Sequence, residues 1–214
     1  MSLTEQKYKA KSKKYFDKQS SDYEQTWDGK YCRQMYASIL EKISSYQFSS
    51  LLDVGCGPGS LLAMIIKDYP DIDAFGIDLS EKMTAQAKML LGPDICLHTG
   101  DVDSMPWPDN TFDLLVCSGS FHHYPNPQQS LQEMQRVLRP DGRLVIADPW
   151  WSRNIRKVIN YYLQSPFNLS GDVWIYSQQE MGELLVKSGF HLIEWDLINR
   201  TYYIVTAVKR SNWS

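Results

Sequence analysis

The segment Leu51-Leu52-Asp53-Val54-Gly55-Cys56-Gly57-Pro58-Gly59 constrains this chain more than any other. A short apolar run from Leu51 to Val54 passes into a glycine-rich turn, and Ser60 to Tyr69 then reads as a helix stopped by Pro70. A buried strand that feeds a glycine turn and a helix N-terminus opens a parallel α/β sheet, where ligands bind in the crevice beyond the strand ends. The glycines let the backbone turn sharply and let a ligand come close. The spacing is GxGxG, and Ser60 stands where a dinucleotide fingerprint begun at Gly55 would place its third glycine. Asp53, two residues ahead, suits a ligand with an ammonium group better than one with a pyrophosphate. Pro58 also removes an N–H donor from any phosphate cradle. The loop therefore argues against NAD.

Alternation carries the pattern onward. Ala74 to Ile77, Ile95 to His98, Phe112 to Cys117 and Leu144 to Ala147 read as further buried strands, separated by helical patterns. One helix runs through Met83, Ala87, Leu90 and Leu91, with Ser80 as its N-cap and Gly92-Pro93 as its stop. Another runs through Leu131, Met134, Val137 and Leu138 and ends at Pro140-Asp141-Gly142. Ile155, Val158, Ile159 and Tyr162 suggest a helix before Pro166, and Ser177-Gln178-Gln179-Glu180 is a capping box for one that closes at Gly189. The last two apolar runs, Phe190 to Trp195 and Tyr202 to Val208, are joined so tightly that they must form a hairpin, which makes the last strand antiparallel. Ahead of the sheet, Tyr31, Met35, Ile39 and Ile43 recur every four residues on an amphipathic helix. The alternation predicts an α/β fold.

A length of 214 residues suits one domain. No apolar run approaches the roughly 20 residues of a membrane span, and the polar, Lys-rich start carries no secretory pattern. With 22 Lys and Arg against 25 Asp and Glu, the net charge of −3 gives no whole-protein pull toward nucleic acid or anionic lipid. Cys32, Cys56, Cys96 and Cys117 form no CxxC pair; three lie in or beside apolar runs, where a free thiol packs as a small hydrophobe. No metal site and no disulfide framework is expected, and the cytoplasm is the expected location. The cluster Lys7, Lys9, Lys11, Lys13, Lys14 and Lys18 is expected to form a solvated helix face, with a basic arm for RNA as the competing reading.

Three acidic residues stand at three successive strand ends: Asp53, Asp78 in Gly76-Ile77-Asp78-Leu79, and Asp101 in Gly100-Asp101-Val102. A carboxylate at the second position can take both hydroxyls of a ribose, as in dinucleotide folds. One at the third could meet an adenine amino group. N-capping and turn formation are the structural roles such residues otherwise fill.

From Leu51 to Pro149 the chain resembles the class I S-adenosylmethionine-dependent methyltransferases. LLDVGCGPG, GIDLS, GDVDSMPWPDNTFDLLVC and LQEMQRVLRPDGRLVIADP follow one another as that family's blocks do. Their order most resembles the small-molecule branch related to ubiquinone and menaquinone biosynthesis methyltransferases. Pro140-Asp141-Gly142 replaces the usual PGG turn. The resemblance implies a Rossmann-like three-layer sandwich, whose seven-stranded, mostly parallel sheet has the order 3-2-1-4-5-7-6 and an antiparallel last strand. It implies an N-terminal helical cap over 1–46 and a methyltransferase domain over 47–214 with a helical aromatic insert at 150–176.

The cofactor implied is S-adenosyl-L-methionine. By the resemblance, Asp53, Gly55, Gly57 and Gly59 hold its methionine end and Asp78 its ribose, while Leu79 and Met83 flank the adenine. Asp101 and Val102 read the adenine edge, Ser118 lines the sulfonium, and Tyr23 belongs to a covering block in which an aromatic face could favour a positive sulfur. His122 and His123 are the candidate bases for an acceptor that must lose a proton, with Asp148 as a weaker one. On an extended chain only one of two adjacent histidines would face the site. The acceptor is expected to be a small molecule, met by the N-terminal block and by the insert with Trp150, Trp151, Tyr161, Tyr162, Phe167 and Trp174. Ser118-Gly119-Ser120-Phe121 stands where amino-methylating enzymes of nucleobases carry an Asn/Asp-Pro-Pro-aromatic motif, which disfavours nucleic acid. An RNA-modifying methyltransferase and a non-catalytic cofactor-binding regulator are the alternatives. Monomer and homodimer are both open.

Overall fold

The computed structural model describes residues 2–209. Two N-terminal helices, α1 (Leu3–Gln19) and α2 (Trp27–Ser44), precede β1 (Ser50–Val54), α3 (Ser60–Asp68), β2 (Asp73–Asp78), α4 (Glu81–Leu91) and β3 (Cys96–Thr99). Then come β4 (Phe112–Ser118), α5 (Pro127–Val137), β5 (Leu138–Pro149), α6 (Arg153–Leu163), α7 (Gln178–Lys187), β6 (Phe190–Ile198) and β7 (Tyr202–Lys209). The seven strands form one sheet of order β3-β2-β1-β4-β5-β7-β6, as expected. Every adjacent pair is parallel except the two that involve β7.

Strand alternation divides the core between the two faces of the sheet. Leu52, Leu115, Ile146 and Val205 pack with Leu131, Met134, Met181 and Leu185 from α5 and α7. Their neighbours Leu51, Leu114, Val145 and Ile204 pack on the other face with Met35, Ile39, Ile43 and Ile65 from α2 and α3. The helix starts are cut by local chemistry. Ser80 caps α4 by accepting from Met83 N–H, and Ser177 and Glu180 form the expected capping box of α7. By contrast, Gly59 ahead of α3 provides no side-chain cap, and no side chain among the described residues caps that helix start.

Three expectations need correction. β5 begins at Leu138 rather than Leu144, because Leu138 pairs with Phe112 before Arg139 to Gly142 bulge out and Arg143 resumes against Leu114. Asp141 sits in that bulge with φ of 63°. Cys96 is exposed, since it begins the edge strand β3, whereas Cys32, Cys56 and Cys117 are buried. The lysine cluster is not simply a solvated face. Lys9 is nearly buried and bonded to Asp101 and Asp103, and Lys11 donates to the Asn168 carbonyl at 2.8 Å.

Candidate functional site

The glycine turn is fastened to the neighbouring strand end. Gly55 and Cys56 N–H both donate to the Ile77 carbonyl, at 2.8 and 3.0 Å, and Gly57 N–H donates to Asp78 Oδ2 at 2.9 Å. The other oxygen, Asp78 Oδ1, accepts from Ser80 N–H at 2.8 Å. Gly55 has a φ of 74°, and a Cβ there would lie 2.0 Å from Ser120 Oγ, so only glycine lets the ends of β1 and β4 come this close. A Cβ on Gly57 would meet nothing within 4 Å, which leaves the backbone open to a ligand. Gly59, expected at the ligand, instead turns its Cα against Ala87 and Leu91 of α4 and serves helix packing.

A cleft of about 800 Å³ opens above this turn. It gathers Tyr23, Gly55, Gly57, Asp78, Leu79, Met83, Asp101, Val102, Ser118 and His123 from the expected set. Asp53 lies beneath, 2% exposed. Burial, with Asp78 beside it, pushes its carboxyl up to about 8. Burial also lifts Asp78, to about 6, against the pull of the Ser80 and Gly57 N–H groups. Two acids that gain protons this readily, Asp53 in the core and Asp78 on the cleft wall, form a site short of positive charge. Ser118 Oγ is buried and has no hydrogen-bond partner among the described residues. Open glycine backbone, an orphan hydroxyl and two cation-poor carboxyls fit a ligand with hydroxyls and a cationic end, so the residues present suit S-adenosylmethionine.

Sequence reasoning assigned α1 to the cap but missed Lys9, Ser12 and Lys13 as cleft residues. Lys9, Ser12, Lys13 and Phe16 all line this cleft. Lys9 Nζ donates to Asp101 Oδ2 at 2.6 Å and also to Asp103. Burial would lower the Lys9 pKa, but its bonds to these two acids raise it. The Asp101 carboxylate, expected to face an adenine, therefore already holds Lys9 and accepts from Asp103 N–H on its other oxygen. Only the lysine crowding itself was visible in sequence. Ser120 and Tyr124, bonded to each other at 2.8 Å, complete the wall.

A second cleft, of about 870 Å³, adjoins the first. Phe16, Tyr23, Gly119 and His123 line both. Its remaining walls are largely aromatic, from Tyr15, Trp27, Tyr31 and Trp151, with Ile159, Leu163 and Ile175. The polar members are His122, Asp28, Asp172 and Ser170. The histidines divide between the clefts: His122 lines the second only, while His123 stands at the boundary with its ring edge-on to Phe16, centroids 5.0 Å apart. His122 Nδ1 lies 2.9 Å from Asp148 Oδ1, and its Nε2 lies 4.0 Å from Asp172. Burial would lower the His122 pKa, but Asp148 and then Asp172 outweigh it and hold it at about 9. Burial and the neighbouring His122 push His123 down to about 3. The adjacent pair thus shifts in opposite directions, His122 up beside Asp148 and His123 down beside His122, although Asp172 Oδ1 lies 3.0 Å from His123 Nδ1. His122, His123 and Asp172 also bring donor atoms within 4.8 Å of one another, a grouping that no sequence spacing foretold.

Residues 52–146 match a family described as a methyltransferase domain. A demethylmenaquinone methyltransferase from Thermotoga maritima is 30% identical over 146 residues, which cover 64% of this chain and 63% of that protein. A 2-methyl-6-phytyl-1,4-hydroquinone methyltransferase from Synechocystis is 31% identical over 129 residues, 59% of this chain and 40% of that protein. The chain thus spans less than two thirds of the length of either relative. Among solved structures, the 1,6-didemethyltoxoflavin-N1-methyltransferase of Burkholderia thailandensis, with bound 1,6-didemethyltoxoflavin and S-adenosylhomocysteine, superposes with a TM-score of 0.76. It is 20% identical, and the match covers 99% of this chain and 92% of that one.

Proposed function

We propose, from the premise that this chain has the class I methyltransferase fold and resembles those enzymes in sequence over residues 52–146, that it transfers a methyl group from S-adenosylmethionine to a small aromatic acceptor bearing an acidic hydroxyl. The observation that carries this reading is the shared wall. Phe16, Tyr23, Gly119 and His123 line both clefts, so a cofactor in the first and an acceptor in the second would meet there. The aromatic walls of the second cleft suit a planar acceptor, and the names of both curated relatives cite quinone or hydroquinone chemistry.

When bound, S-adenosylmethionine supplies a methyl group already activated on a positive sulfur. Asp53, Gly55 and the open backbone at Gly57 would hold the cationic amino-acid end, Asp78 would hold the ribose, and Leu79, Met83, Asp101 and Val102 would surround the base. Ser118 and Tyr23 line the same cleft and would lie beside the sulfonium. Orienting the acceptor in line supplies much of the rate. His122, held as a cation by Asp148, donates to the acceptor oxygen and stabilises its anion, while the hydroxyl proton leaves to solvent. His123 stays neutral and packs at the boundary.

Residues 1–46 serve as a cover over both clefts, and 150–176 as one wall of the acceptor cleft. The four cysteines are free thiols, which suits the reducing cytoplasm. Incubation with S-adenosylmethionine and a panel of aromatic hydroxyl compounds, followed by mass spectrometry, tests the reading. S-adenosylhomocysteine should form with at least one acceptor and fall about 100-fold in His122→Gln. A protein that binds the cofactor yet turns over no acceptor would instead be a cofactor-binding regulator.

A further inference from the structure

The structure assigns a second role to α6 and the segment behind it: residues 151–169 dock the protein on an anionic lipid bilayer, beside the opening of the acceptor cleft. A surface helix normally turns its apolar stripe inward. In α6 only part of the stripe does so: Ile159 and Leu163 line the second cleft. Ile155, Val158 and Tyr162 on the same stripe stay exposed, Val158 at 69%. Tyr161, Phe167 and Leu169 extend the patch at 83%, 75% and 76% exposure. The inner face instead buries a polar residue, Asn160, whose amide donates to the Ile175 carbonyl at 3.0 Å and accepts from Ile175 N–H at 2.8 Å. The helix is held by this polar anchor while much of its apolar surface faces out.

Charge identifies what covers it. From Pro149 to Gly171 the sequence has no Asp or Glu, yet it carries Arg153, Arg156 and Lys157, in a chain whose net charge is −3. Arg153 and Lys157 are exposed, and Arg156 is half-buried near Glu180. Helix α1 is bonded to the same segment, by Tyr8 Oη to the Leu163 carbonyl at 3.3 Å and by Lys11 to the Asn168 carbonyl, and it adds exposed Lys7, Lys14 and Lys18. Apolar and aromatic side chains beside exposed cations are the make-up of a helix that lies in a lipid interface. Two copies meeting face to face would bring Arg153 and Lys157 against their own kind, which favours anionic lipid as the occupant over a second copy. No helix among the described residues is long and apolar enough to cross the bilayer, so attachment is peripheral. Trp151, Ile159 and Leu163 line the acceptor cleft from this same segment, which would let an apolar acceptor enter from the lipid. That last consequence rests on the methyltransferase reading; the docking itself does not.

Flotation of the full chain with vesicles tests this. Phosphatidylcholine vesicles with roughly 30% phosphatidylglycerol should carry the protein up, vesicles of phosphatidylcholine alone should carry far less, and about 0.5 M salt should release it. Replacing Val158, Phe167 and Leu169 together by Ser should weaken partition about tenfold, as should Arg153→Gln with Lys157→Gln. All five positions lie outside both clefts, and circular dichroism checks each variant's folding. No partition into the anionic vesicles, or partition indifferent to both variants, overturns the proposal. A dimer seen by light scattering that the serine variant breaks, without vesicle binding, overturns it in favour of a second copy.

Discussion

Lys9 Nζ lies 2.6 Å from Asp101 Oδ2, so the first helix of the chain is bonded to the loop after β3, 92 positions away in sequence. Asp103 takes the same ammonium, and the Lys9 side chain is only 11% exposed. Removing one partner from a largely buried ion pair leaves the other charges uncompensated. Lys9→Met should therefore cost about 3 kcal/mol in denaturant unfolding. It should also speed cofactor release in stopped-flow, because α1 would no longer be held over the cleft. Unchanged stability and release would show that the helix is held elsewhere.

The raised acids Asp53 and Asp78 predict proton release on binding. With Asp53 at about 8 and Asp78 at about 6, Asp53 is protonated near neutral pH in the free protein. A ligand ammonium beside it favours the ionised form and drives the proton out. Titration heats near neutral pH should therefore depend on the ionisation enthalpy of the buffer, and Asp53→Asn should remove most of that dependence. Heats independent of buffer in the wild type would contradict it.

The two histidines act on stability in opposite senses. A histidine titrates near 6.5 when unfolded. His122, at about 9 in the folded chain, contributes stability that is fully present below about 6.5 and lost as pH rises through about 9. His123, at about 3, leaves the fold unpenalised above about 6.5 and costs stability as pH falls below that value. The melting temperature should fall as pH rises from about 6.5 through about 9, and His122→Gln should flatten that alkaline limb. An alkaline limb unaltered in that variant would mean that Asp148 does not hold the charge on His122.

Gly29, near the start of α2, abuts the covering turn. A Cβ there would come within 2.1 Å of the Tyr23 carbonyl oxygen and 2.8 Å of its carbon. Gly29→Ala should shift Tyr23 out of the wall shared by the two clefts and reduce turnover, with a stability loss of about 2 kcal/mol. Turnover equal to that of the wild type would remove Tyr23 from the working part of the cover.

The sheet was legible because its information is local. Leu51 and Leu52 alternate between faces, Ser80 and Ser177 cut helices through single side-chain bonds, and the tight link near Asn199 forces a hairpin. The glycine turn and Asp78 were legible because backbone conformation and a strand-end carboxylate leave a sequence mark. Lys9 was not, because a lysine among lysines bears no sign of a partner 92 residues on. The meeting of His122 with Asp148 and Asp172 escaped for the same reason, since the three come from separate loops and strand ends. The packing of Gly59 against α4 side chains left no mark in the GxGxG spacing. The bulge in β5 was hidden behind a Pro-Asp-Gly sequence that ordinarily ends an element.

Calorimetric titration with S-adenosylmethionine and S-adenosylhomocysteine, with NAD as control and Asp78→Ala alongside, tests the central claim most directly. Both sulfur ligands should bind with dissociation constants of about 1–10 μM, NAD should not bind, and the variant should keep its fold but lose binding. A folded protein that takes up neither sulfur ligand, or one whose binding is untouched by Asp78→Ala, would contradict the account.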